Sequence, residues 1–253
     1  MFAIAYSMVS YAFFLGVFTY FALFSDGVLV PRSVDVAIEA PLTWALTLDL
    51  GLISLFGIQH SVMARSGFKK SLTRLLPAHV ERATYVLVSS LALALLMWQW
   101  RPIEGALWSV QDQRVAIALW LVNALGWLGV PIASFMIDHF DLFGIKQTLH
   151  HFRRTSMART GFVTPLLYRY VRHPMMSSLL IGLWVTPHMS WGHLLLSLGM
   201  TAYVVIGVHF EERALMRELG VDYERYRATT PKFLPLGTSA LADEGTPQRP
   251  APS

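Results

Sequence analysis

Tyr168-Arg169-Tyr170-Val171-Arg172-His173-Pro174-Met175-Met176 stands where a polar loop gives way to an apolar segment. Pro174 suits the first position of a helix, where a missing N–H costs nothing. Arg172 and His173 then flank a helix entrance, whose free backbone N–H groups favour an anionic group. The apolar segment Met175 to Thr186 holds about 12 residues, or ~18 Å at the helical rise. The hydrocarbon core of a bilayer is about 30 Å thick, so this arm is short or tilted. Pro187 to Gly192 reads as a turn, and His193 to Phe210 as a returning helix that ends in His209-Phe210-Glu211-Glu212-Arg213. The pattern is a helical hairpin with Arg-His-Pro and a carboxylate pair at the same end.

The rest of the chain supplies further spans. Of 253 residues, 54% are hydrophobic and 14% charged, and the mean hydropathy is +0.47. Soluble domains carry about 25% charged residues, and here the apolar residues form long runs. Four such runs precede the hairpin: Ala3 to Phe24, Leu42 to Ile58, Ala83 to Trp100 and Val115 to Ile137. Pro131 inside the fourth predicts a bend. The first basic residue is Arg32, so the first run has no positive leader segment and reads as a retained span. Cysteine is absent, which excludes disulfides and cysteine metal sites. The expected fold is an all-α integral membrane protein with four transmembrane helices plus a C-terminal transmembrane helical hairpin. It forms one domain over residues 1–236, followed by a disordered Ala/Pro/Gly/Ser-rich tail over 237–253.

Charge orients the spans. Of 20 Lys and Arg, seventeen fall in segments on one side of this topology, and only Arg32, Arg101 and Arg114 on the other. The positive-inside rule places the rich side, and both termini, in the cytoplasm. The ends of spans two and four, the hairpin base and the Glu pair then share the cytoplasmic face. The net charge of +4 follows from this bias. It calls for membrane lipids, anionic headgroups among them, and not for nucleic acid.

Successive helical residues point about 100° apart. One of Glu211 and Glu212 can therefore face a pocket while its neighbour pairs with Arg172, Arg213 or Arg217. Interfacial charges at helix ends are the plain alternative for each of these residues. A metal site is disfavoured. No two of the nine His lie at i,i+3 or i,i+4, and the adjacent pair His150-His151 diverges on a helix.

Tyr168-x3-Arg172-His173-Pro174, a short hairpin, Glu211-Glu212, Gly220, Tyr223 and Tyr226 resemble the integral-membrane methyltransferases of the isoprenylcysteine carboxyl methyltransferase and phospholipid methyltransferase superfamily. The resemblance covers about residues 162–236. It implies S-adenosyl-L-methionine as cofactor, with Tyr168, His173, Pro174 and Glu211 in contact with it. Arg172 and Glu212 support the site. Met176 stands where that superfamily often has Tyr.

The first half of the chain narrows the resemblance. Gly57-Ile58-Gln59-His60-Ser61-Val62-Met63-Ala64-Arg65, Glu81-Arg82-Ala83-Thr84-Tyr85, Trp98-Gln99-Trp100-Arg101-Pro102 and His139-Phe140-Asp141-Leu142-Phe143-Gly144 with Gln147 resemble the family of bacterial methanethiol S-methyltransferases. That resemblance implies methylation of a small thiol to dimethyl sulfide, in the inner (cytoplasmic) membrane of a bacterium. The nucleophile is a thiolate, so a proton must leave. His60 is the first choice of base. Asp138, His139 and Asp141, at the matching end of span four, could orient or replace it. Gln59 and Gln147 could hydrogen-bond the substrate. Two rivals stay open at this level: a lipid or prenyl acceptor, and a non-enzymatic membrane carrier or assembly factor on the same scaffold.

Overall fold

The computed structural model describes residues 1–155 and 164–235, so the tail expected from 237 lies outside the described residues. In chain order the helices are α1 (Phe2–Asp26), α2 (Leu42–Met63), α3 (Ser66–Leu72), α4 (Glu81–Gln99), α5 (Gln113–Ile137), α6 (His139–Leu142), α7 (Ile145–Arg153), α8 (Pro174–Trp184), α9 (Trp191–Leu219) and α10 (Val221–Thr229). Short 3₁₀ turns span Ala78–Val80 and Leu166–Arg169, and two short strands are β1 (Ala106–Ser109) and β2 (His188–Ser190). Five helices are long and apolar enough to cross a membrane, and Pro174–Trp184 is a shorter apolar helix. The protein is an all-α integral membrane protein, with the four early spans and the hairpin where the sequence places them. Local capping fixes their ends. Asp112 accepts from the amides of Arg114 and Val115 to start α5, and Ser190 accepts from His193 to start α9.

The hairpin differs from expectation in three ways, each with a physical reason. First, α8 has 11 residues, about 16 Å of helix. The chain then continues through Val185 to Ser190 without helix, and the expected turn holds a strand. β2 pairs antiparallel with β1, and Val110 N–H donates to Pro187 O at 2.9 Å. β1 thereby satisfies the backbone that leaves α8. The side chains of His193 and Ser197 both reach Leu183 O, at 2.9 and 3.0 Å, covering a carbonyl at the end of α8.

Second, α8 seats mainly on α5 and lies only loosely beside its hairpin partner α9. The seam is lined by Gly126, Gly129 and Gly182, whose missing side chains let the backbones touch. Asn123 Nδ2 ties it by donating to Gly182 O at 2.8 Å and to Asp26 Oδ1 at 3.0 Å. A Cβ at Gly126 would sit 2.5 Å from the Gly182 nitrogen. That atom is backbone and cannot rotate away, so Gly126→Ala is expected to destabilise by about 1–3 kcal/mol through overpacking. A thermal melt in detergent checks this, and an unchanged midpoint would contradict the seam.

Third, α9 has 29 residues and runs nine residues past Phe210. Charge ends the apolar span there, but Glu, Arg, Leu and Met are good helix formers. The Glu pair therefore projects from the body of a helix and not from its end.

Between the helices, Phe21, Phe24, Leu52, Leu96, Trp100, Leu183, Leu196 and Met200 form the buried core. One end of the bundle collects polar contacts across the chain. Tyr6 donates to Thr84 at 3.0 Å, Ser7 meets Thr148 at 2.7 Å, and Arg82 reaches Asp141 at 3.4 Å. The opposite end opens a cavity of about 1060 Å³ between the first turns of α2 and α9, beside Glu39, Leu46, Glu104 and Leu198. It contains none of the candidate site residues.

Candidate functional site

The entrance of α8 and the far half of α9 meet through ion pairs. Arg172 and Glu212 are nearly enclosed, at 8% and 7% exposure, and approach to 2.8 Å. Glu212 also takes Lys232 Nζ at 3.2 Å and His173 Nε2 at 3.3 Å. Arg172 fills its remaining donors on Arg227 O, at 3.0 Å, and Thr230 O. Of the three cations open to the pair by sequence, Arg172 is the one used. Lys232 was not foreseen, because it lies beyond the helix.

Glu211 behaves differently. Its side chain is 53% exposed, and its one ion pair among the described residues is with His173 Nδ1 at 3.6 Å. Burial lowers the His173 pKa, with Glu212 pulling it up and Arg172 and Lys232 pushing it further down. His173 is therefore neutral at pH 7. With its Nε2–H given to Glu212, Nδ1 is an acceptor that faces the Glu211 carboxyl. Tyr168 joins this wall. Burial first, and the charge of Glu211 second, raise its hydroxyl pKa, which keeps it a donor. Pro174 is buried at the first position of α8, with Met176 half-buried in the same turn.

A strap closes the wall from behind. Tyr226, on α10, donates to Tyr168 O at 2.5 Å. The amides of Arg172 and His173 donate to Pro231 O at 2.9 Å and Lys232 O at 3.1 Å, and Ser177 donates to Phe233 O at 2.6 Å. Burial, followed by the charge of Glu212, pushes the Tyr223 hydroxyl up to about 12.

The second wall is α2 with α4. His60 Nε2 and the Tyr85 hydroxyl lie 2.5 Å apart, and Tyr203 of α9 packs its ring on His60 at 5.5 Å. Gln59 donates to Ser89 of α4 at 3.4 Å and, one turn along α2, to Met63 Sδ at 3.0 Å. Its Oε1 is buried without a partner among the described residues, as is His60 Nδ1. Glu211 lies within Coulombic reach of Tyr85, Tyr168 and Tyr203, so the two walls face one electrostatic space.

The end of α5 forms a third node. Asp138 pairs with Lys146 and accepts from the Asp141 amide at 3.1 Å. Burial pushes the Asp138 carboxyl up, but these two contacts outweigh it and hold the pKa below its ordinary value. Asp141 takes Arg82 at 3.4 Å and Gln147 at 2.9 Å. His139 is 4% exposed. Both its nitrogens are engaged, with Tyr11 and Ser134 at 2.7 Å each, and burial lowers its pKa. Among the described residues no hydrogen bond or ion pair joins this node to His60. Arg82 and Tyr85, one turn apart on α4, stand between them. Sequence reading overlooked Tyr203, although its signal was present: Tyr203, Gly207 and Glu211 lie at i, i+4 and i+8, one face of a helix.

Fold and site together define a polytopic helical membrane protein with a charged cluster at the hairpin base. The chain belongs to the NnrU protein family, whose model matches residues 47–242. It is 45% identical to the methanethiol S-methyltransferase of Mycobacterium tuberculosis over 92% of this chain and 95% of that one. It is 47% identical to methanethiol S-methyltransferase 2 of Bradyrhizobium diazoefficiens over 91% and 88%. Nurim of Sus scrofa is 31% identical over 72% and 70%. No solved structure matches.

Proposed function

We propose that this protein is an S-adenosylmethionine-dependent methyltransferase that converts methanethiol to dimethyl sulfide. The observation that carries the reading is its identity of 45–47%, over about nine-tenths of its length, to relatives named for that activity. The cofactor fits the hairpin base: its ammonium and ribose hydroxyls are donors for Glu211 and His173 Nδ1. Tyr168 and the first turn of α8, Pro174 to Met176, complete that wall, while Arg172 and Glu212 hold His173 in place. When bound, the cofactor supplies an electrophilic methyl group on a sulfonium. Gln59 and the His60–Tyr85 pair form the thiol side, and Asp138, His139, Asp141 and Gln147 brace the end of α5 behind Arg82. A site walled by apolar helices favours a reaction in which opposite charges vanish. The basic side of the membrane topology is cytoplasmic, in the inner membrane, so the cofactor enters from the cytoplasm.

The test is purified protein with methyl-labelled S-adenosylmethionine and methanethiol. Labelled dimethyl sulfide is expected in the headspace. Label on lipid with none in the headspace would move the protein to the lipid-methylating branch. No binding of S-adenosylhomocysteine by calorimetry would support a non-enzymatic role.

A further inference from the structure

Neither nitrogen of His60 is open to a substrate. Nε2 is taken by the Tyr85 hydroxyl at 2.5 Å, and Nδ1 is buried without a hydrogen-bond partner among the described residues. The rings of Phe56, Tyr85 and Tyr203 surround the imidazole, with centroids at 5.5, 4.9 and 5.5 Å. A thiol proton has no direct path to His60 through this cage. Tyr85 is only partly buried, and its hydroxyl has one proton to give and lone pairs to receive another.

We infer that Tyr85, and not His60, meets the thiol sulfur, and that Tyr85 and His60 together remove its proton. The inference rests on the thiol methyltransferase reading. The S–H bond breaks as its proton passes to the Tyr85 oxygen. The Tyr85 proton moves at the same time to His60 Nε2. The electron pair stays on sulfur, and the products are a thiolate, a neutral tyrosine and an imidazolium.

The aromatic cage offsets part of the cost of burying that imidazolium. Aromatic faces are negative and attract a cation. Tyr203 lies edge-to-face with the imidazole, at an interplanar angle of 85°, an arrangement that lets a ring N–H meet a π face. The titratable and charged groups that act on Tyr85 are Tyr203 and Glu211 on α9, and Arg82 and Glu81 on its own helix. The helical register keeps the pair in place, because Arg82 and Tyr85 are i,i+3 on α4. The Arg82–Asp141 pair anchors one turn of that helix and Tyr85 projects from the next.

The test compares wild type with Tyr85→Phe, which keeps the ring and removes the hydroxyl. For methanethiol at pH 7, kcat is expected to fall roughly 100-fold, as for loss of a general base. KM for S-adenosylmethionine should stay within about twofold, and the rate should recover as rising pH supplies thiolate. The proton inventory of wild type in mixed water and deuterium oxide should show two protons in flight. Without any turnover, the ¹⁵N resonance of His60 Nε2 should move in Tyr85→Phe, reporting the lost hydrogen bond. Unchanged S-adenosylhomocysteine binding keeps the comparison on folded protein. If wild type turns over methanethiol and Tyr85→Phe matches it across pH, the relay is overturned while the function stands. If wild type makes no dimethyl sulfide, the function itself is overturned.

Discussion

Glu212→Ala is expected to cost about 3–5 kcal/mol of stability, the range for removing one partner of a buried ion pair. Its carboxylate sits among Arg172, Lys232 and His173, and the first two become like charges without a counter-ion when it is lost. Arg172 is 8% exposed, so water cannot take over the role of the carboxylate. A melt in detergent should show the loss, with or without cofactor. Arg172→Met in the Glu212→Ala background removes one of the stranded cations and should recover part of it. A single variant that melts like wild type would contradict the clamp.

The neighbouring substitution should do the opposite. Glu211→Gln is expected to leave the melting point of the unliganded protein nearly unchanged, because the side chain is 53% exposed and has one distant ionic partner. Its affinity for S-adenosylhomocysteine should fall about 10- to 100-fold. Hydrogen bonds to charged groups contribute about 1.5–3 kcal/mol, and about 1.4 kcal/mol is a factor of ten. Calorimetry reads it directly. If Glu211→Gln binds as tightly as wild type, the carboxylate does not touch the cofactor. Two adjacent residues of one type thus carry separate tasks, and the separation follows from the 100° step of the helix.

That step was legible in the sequence, as were the spans, the short arm of the hairpin and the gathering of its base with the ends of spans two and four. Long apolar runs and charge bias encode these features directly. What was not legible depends on partners distant in the chain. Nothing local in His188-Met189-Ser190 announces a strand, since its partner is Ala106–Ser109. The end of α9 was misplaced because hydropathy marks where a membrane stops, whereas helix propensity marks where a helix stops. The grouping of His60 with Asp138, His139 and Asp141 came from a shared depth in the membrane. Depth leaves rotation about the helix axis free. Rotation gives His139 to Tyr11 and Ser134, and gives His60 to Tyr85.

The strap also sets an order of events during synthesis. Residues 231–233 bind the backbone of Arg172 and His173 and the side chain of Ser177, some sixty positions upstream. Every membrane helix has been translated before those residues are. A nascent chain can hold all its helices and still lack the backbone partners of the hairpin base.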